Sequence, residues 1–189
     1  GNLLFFDVKT GKKAFCINRK GAGPEEYKSV GALVMDEKAG EIFAWSIIDG
    51  TFQVYDAQGI HLRTLPMRNK KKDEYLYITN FINLDDDRLL CSSHNIKGYA
   101  VHYLQNKKTG LTTIVDSIPN EQYVSEYIFA QKDGVTYSTA PNLTPFVHTS
   151  EGLVYADHSN DTLYRMTDGM TPSPFIVRIP RVKETEPNK

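Results

Sequence analysis

The sequence predicts an all-β protein built from antiparallel hairpins. Three observations carry that expectation. Tyrosine (11) and phenylalanine (9) are abundant, with β-branched residues gathered in short clusters. No long segment repeats its apolar residues with a helical period of about 3.6. Glycine-marked turns recur at Gly11, Gly59, Gly110 and Gly169, spacings of 48, 51 and 59 residues.

Each glycine sits in the same local plan, seen in "LLFFDVKTGKKAFCINRK", "FQVYDAQGIHLRTLPM", "YAVHYLQNKKTGLTTIVDSIP" and "TLYRMTDGMTPSPFIVRIP". An aromatic-rich strand leads into a polar turn that ends in glycine, and a second strand closes on a basic residue or proline. Glycine suits the turn because a tight hairpin needs a residue that tolerates positive φ. In "YDAQG", Asp56 is placed to accept hydrogen bonds from the turn ahead of it, while Tyr55 packs on the sheet. Upstream of three of these hairpins lies another: "GALVMDEKAGEIFAWS", "TNFINLDDDRLLCSS" and "TPFVHTSEGLVYADH". Two hairpins in series form a four-stranded meander, and a repeat of this length fits the blade of a β-propeller.

Blade-like units are therefore expected over 31–67, 80–119 and 144–180, with a half blade at 3–20 and an extra hairpin at 123–141. The whole chain reads as a single propeller domain of about three and a half blades, fewer than a closed ring ordinarily needs. It is expected to be part of a larger ring, or to self-associate through its open strand edges. A β-sandwich is the structural alternative, because short antiparallel strands serve both architectures.

Composition narrows the function classes. Hydrophobic residues make up 40% and charged residues 24%, the balance of an ordinary globular chain. A net charge of −1 argues against a nucleic-acid partner, which calls for a concentrated basic surface. The basic run "MRNKKKDEY" carries its own acids and reads as a solvated loop. No apolar run reaches the roughly 18 residues that span a bilayer. The chain opens at Gly1 and reaches a strand-like run almost at once, as a processed N-terminus does, so the lack of a leader says little about compartment. Cys16 and Cys91 each lie in apolar runs and read as buried free thiols.

The stretch "RKGAGPEEY", Arg19 to Tyr27, resembles the "GxGPxEY" signature of bacterial six-bladed propellers related to the NHL and TolB-like groups. "NDTLYRMTDGMTPSPFIV" is similar to the "DTIYR" blade of the same group. The resemblance implies a secreted, periplasmic or lipid-anchored protein of the cell envelope, in a family with a largely undefined role and six blades. The residues themselves describe a corner. Gly21 and Gly23 relieve steric limits, and Pro24 fixes φ. Glu25 and Glu26 are placed to accept leftover backbone N–H groups, and Tyr27 to plug the gap between blades.

Catalytic signatures are missing. The histidines, His61, His94, His102, His148 and His158, show no metal-ligand spacing. "NLDDDRLL" lacks the glycine and terminal glutamate of a calcium loop and reads as a solvated turn. No metal, cofactor or catalytic residue is expected. Loops between hairpins should share one end of the sheets, which brings Asp49, His94, Asn95, His158, Asp161 and Glu26 toward a common face. The leading expectation is a non-enzymatic envelope module that binds a glycan, peptide or protein there. The alternative is a propeller lyase or hydrolase with a metal or His/carboxylate site at the ring centre.

Overall fold

A computed structural model describes residues 2–67, 78–95, 99–119, 128–139, 146–156, 162–167 and 172–175. All regular structure among them is antiparallel strand. The chain forms two compact units. One comprises Gly1–His94 with Val101–Val115, and the other Asn95–Ala100 with Asp116–Lys189.

The first unit holds three sheets. β1 (Leu3–Phe6) pairs with β2 (Lys13–Ile17). β3 (Val30–Asp36), β4 (Glu41–Ser46), β5 (Thr51–Asp56) and β6 (His61–Pro66) form a four-stranded meander in chain order. A second meander follows, made of β7 (Ile78–Asn83), β8 (Arg88–Asn95), β9 (Tyr99–Asn106) and β10 (Thr112–Pro119), whose last three strands run on at their ends into the second unit. Four-stranded antiparallel sheets thus stand where the sequence predicts paired hairpins.

The central strands β4 and β5 are buried on both faces, which is why "EIFAWS" reads as a continuous apolar run instead of alternating. Phe43, Trp45, Phe52, Val54 and Leu65 point one way and meet Ile78, Phe81, Leu89, Cys91, Val101 and Tyr103 of the next sheet. Phe52 bridges the layers, tilted on Trp45 at 4.9 Å and edge-on to Phe81 at 4.8 Å. Ile42, Ala44 and Tyr55 point the other way, onto Leu3, Phe5, Phe15 and Ile17 of the β1–β2 hairpin. Each of these large side chains contributes about 1.5–3 kcal/mol by leaving water. A bulge between Val30 and Ala32 lets both residues join a core, Val30 on one face and Ala32 on the other.

Both cysteines are free. Cys91 is fully buried, and desolvation pushes its thiol pKa far up. Cys16 is only half-buried, because Phe15 and Ile17 take the core face of β2 and leave Cys16 opposite the exposed Leu4.

In the second unit, β11 (Ile128–Lys132) and β12 (Val135–Thr139) form a hairpin. Its turn residues Asp133 and Gly134 both have positive φ, the geometry an Asp-Gly pair favours. β13 (Phe146–Thr149), β14 (Gly152–Ala156), β15 (Leu163–Met166) and β16 (Pro172–Phe175) make a further four-stranded meander. Tyr155 is its buried centre, stacked on Tyr164 at 5.3 Å and edge-on to Phe146 at 5.7 Å.

The repeated turn has one chemistry. Asp7, Asp56 and Asn106 each accept backbone N–H bonds from residues two to four positions ahead, as in Ile60 N–H to Asp56 Oδ1 at 2.8 Å. The same residues' carbonyls accept the N–H of Gly11, Gly59 and Gly110, whose φ values are +66°, +83° and +71°. Gly169, the fourth expected turn, lies outside the described residues, as does the "RNKKKDEY" part of the basic run.

Gly110 carries a second constraint. A Cβ there would stand 2.3 Å from the Pro66 carbonyl oxygen, whereas one on Gly40, at φ +68°, would meet nothing within 4 Å. Gly110→Ala is expected to cost at least about 2 kcal/mol and Gly40→Ala about 1 kcal/mol, the backbone strain alone. Urea unfolding of the two variants checks this; equal losses would contradict it.

Candidate functional site

The sheet β3–β6 has two unlike ends. At the turn end, Asp36 closes β3 and Lys107 directly follows β9, and both charged side chains face the core. The Lys107 ammonium bonds Asp36 Oδ2 at 2.6 Å, with both side chains only 3% exposed. It also donates to the Asp85 carbonyl and lies over the Phe43 ring at 5.9 Å. Arg63 grips Glu41 with two bonds of 2.6 and 2.7 Å and donates to the Lys107 carbonyl at 3.1 Å. Burial alone would raise the Asp36 pKa, but the Lys107 bond and backbone N–H groups outweigh it and hold the carboxyl below its ordinary value.

The acidic turn of "NLDDDRLL" is neutralised residue by residue. Asp85 pairs with Arg88 at 2.5 Å, Asp86 with Lys38, and Asp87 with Lys108 at 3.4 Å. Asp85, Asp86, Asp87, Arg88 and Lys108, with Asn106 and Thr109, line an open depression of about 760 Å³. Asp85 also caps the N–H groups of Asp87 and Arg88, so its oxygens are committed to the turn. Among the described residues, no three His, Cys, Asp or Glu side chains stand close enough together to hold a metal ion.

The opposite end carries the corner and the loop between β4 and β5. Glu26 folds back so that its Oε2 accepts the Gly23 N–H at 2.7 Å, and a Cβ on Gly21 would overlap that carboxylate. Glu25 instead pairs with Arg19 at 2.9 Å. Tyr27 is buried, donates its hydroxyl to the Ile17 carbonyl at 3.2 Å, and locks the corner through its backbone to Arg19 and Gly21. The sheet holds the corner from below, where Thr64 donates to the Pro24 carbonyl at 3.1 Å. Gln53 and His61 complete that cluster, with His61 Nε2 2.9 Å from Gln53 Oε1. Desolvation lowers the His61 pKa, with Arg19 opposing protonation and Glu25 favouring it. Nearby Tyr55 is buried, and desolvation pushes its phenol up to about 12.

Of the residues predicted to share a face, Asp49 and Glu26 are both described and both partnered. Asp49 bonds Lys28 Nζ at 2.7 Å and Ser46 Oγ at 2.6 Å, and these bonds lower its pKa. The Lys28–Asp49 pair joins the β4–β5 loop to the corner, two residues beyond Glu26. His94 and Asn95 end β8, with only their backbone described. His158 and Asp161 lie outside the described residues. Sequence reasoning missed Lys28 and Arg19, which give this end its exposed cations, and the ionic cluster of the turn end. No local motif marks Lys28, because its partner is 21 residues away.

The fold and its corner define an all-β protein of stacked meanders with a glycine-proline corner between sheets. The chain belongs to the family described as a domain of unknown function, DUF4934, which it matches over residues 1–178. A search of the curated proteins found no match. Among solved structures, the chain is similar to a candidate exported protein of Bacteroides fragilis NCTC 9343, with a TM-score of 0.59 and 20% identity over 91% of this chain and 44% of that one. It is also similar to a member of the DUF4221 family from Bacteroides vulgatus ATCC 8482, with a TM-score of 0.63 and 14% identity over 90% of this chain and 49% of that one. The likeness is one of fold, and the chain spans less than half the length of either structure. Among the described residues no helix is long and apolar enough to cross a membrane.

Acid is expected to weaken the fold in two windows. The folded His61 pKa lies below its unfolded value, so its contribution is complete above the unfolded pKa near 6.5 and declines as pH falls through the folded one. Asp36, Asp49 and Asp85 also have depressed pKa values, so theirs is lost as pH falls below the unfolded value of 3.8 and through the folded ones. Urea midpoints against pH should therefore fall in two steps, and His61→Gln should remove the upper one. An upper step that survives the substitution would exclude His61 as its source.

Proposed function

We propose that this chain is a segment of an exported β-propeller that binds a glycan, peptide or protein partner at the loop end of its sheets, without catalysis. The observation that carries the reading is the pre-set arrangement of exposed charges there. Lys28–Asp49 lies at the β4–β5 loop and Arg19–Glu25 in the adjoining corner, held by Ser46 and Thr64. Groups already fixed in place bind a polar partner with less ordering cost than free side chains. At the turn end, Asp36, Glu41, Asp85, Asp86 and Asp87 are paired within the chain as well, the first two in buried or part-buried positions.

The propeller reading is supported by the way the first unit stacks. β3 and β7, the first strands of successive four-stranded sheets, approach each other, as strands nearest a shared axis do. The outward face of β1 exposes Leu4 and Phe6, as expected where a further sheet continues the stack. Export is supported by the description of the Bacteroides fragilis protein of the same fold.

A screen of cell-wall fragments, oligosaccharides and envelope peptides by titration calorimetry tests the reading. The ligand found should lose affinity about tenfold or more, roughly 1.4 kcal/mol, on Lys28→Ala or Arg19→Ala. Asp86→Asn and Asp87→Asn should change it little. The opposite ranking, or no binding across the screen, would contradict the proposal.

A further inference from the structure

The first sheet stops short of covering its neighbour. β2 lies over the outer part of the β3–β6 sheet, since a Cβ on Gly59, in the β5–β6 turn, would touch Phe15 and Ile17. β1 is therefore the strand nearer β3. Together the two strands bury Ile42 and Ala44, which are 1% and 0% exposed. Met35 and Leu33 are the register partners of those two residues and share their face, yet they are 46% and 44% exposed. The reverse face of the same strand shows the covered state, because Ala32 and Val34 pack against the core shared with the β7–β10 sheet. Beside this bare strip, the edge of β1 opposite β2 has no strand partner among the described residues. The sheet of β1 and β2 has two strands where its two successors have four.

We propose that the free edge of β1, together with Leu33 and Met35, is the docking surface for a β-hairpin, supplied by polypeptide of the same protein outside these 189 residues. Its first strand would extend the ladder of β1, and its apolar residues, at alternate positions, would cover Leu33 and Met35. Two added strands bring the sheet to the width of its neighbours. The source follows from length, because solved chains of this fold are more than twice as long as the part this chain spans. A second copy joined β1 to β1 about a two-fold axis normal to the sheet fits poorly. β3 projects beyond the β1 edge, so the two β3 strands would meet in the same space. The inference concerns adjacent sheets only, so its failure leaves the reading of the loop end standing.

The test uses the 189-residue chain with a synthetic peptide of Ile78–Asn95, the first hairpin of the next sheet, as a stand-in occupant. Alone, the chain should be a monomer by light scattering, with Met35 oxidised by peroxide far faster than the buried Met166 and with fast amide exchange in β1. The peptide should slow both Met35 oxidation and β1 exchange about tenfold. Leu33→Glu should abolish that protection without altering the circular dichroism of the chain. Protection of Met35 in the isolated monomer, a dimer that protects it, or a peptide without effect would each overturn the proposal.

Discussion

The buried contact between Asp36 and Lys107 sets the geometry on which the first unit depends. Asp36 ends β3 and Lys107 directly follows β9 of the neighbouring sheet, and their charges meet where water is excluded. Removing two charges from water is costly, and only close geometry with further hydrogen bonds repays it. Here those bonds exist: Ala39 N–H reaches Asp36, and the Asp85 carbonyl accepts from Lys107. The pair therefore specifies how the turns of β3–β4, β7–β8 and β9–β10 align, and that alignment places the loops at the other end. Hydrophobic burial between the sheets supplies most of the stability, but apolar side chains alone would tolerate a slide of one sheet on the other.

Much of this was legible in the sequence, and the turns most of all. Asp56 before Gly59 names both the bond and the φ that the hairpin uses. The buried pair was legible in principle, because counting by twos along β3 from Ala32 and Val34 reaches Asp36. Counting along β9 from Val101, Tyr103 and Gln105 reaches Lys107 in the same way. What hid it is the company Lys107 keeps: it stands beside Lys108 in a polar turn, and only the strand register separates the buried lysine from the exposed one. The candidate site was less legible. Corner residues announce themselves through glycine and proline, whereas Lys28 and Asp49 meet only after the sheet has folded.

The corner illustrates how a sequence signature can be structural and still shape a surface. Glu26 and Tyr27 spend their polar groups on Gly23 and Ile17, so the motif holds itself together. In doing so it leaves Arg19, Glu25 and Lys28 pointing outward on a fixed frame. Recognition of a partner and integrity of the fold are thus assigned to neighbouring residues. The bare strip of Leu33 and Met35 belongs to neither role, since it lies on a sheet face where further chain would pack.

The measurement that bears most directly on this account is a double-mutant cycle on Asp36→Ala and Lys107→Ala, read by urea unfolding. Each single change should cost about 3–5 kcal/mol, because it strands the partner's charge in the core. The double variant should cost far less than the sum, with a coupling above about 2 kcal/mol. Additive losses, or single changes within about 0.5 kcal/mol of the parent, would mean that the two sheets are aligned by something other than this contact.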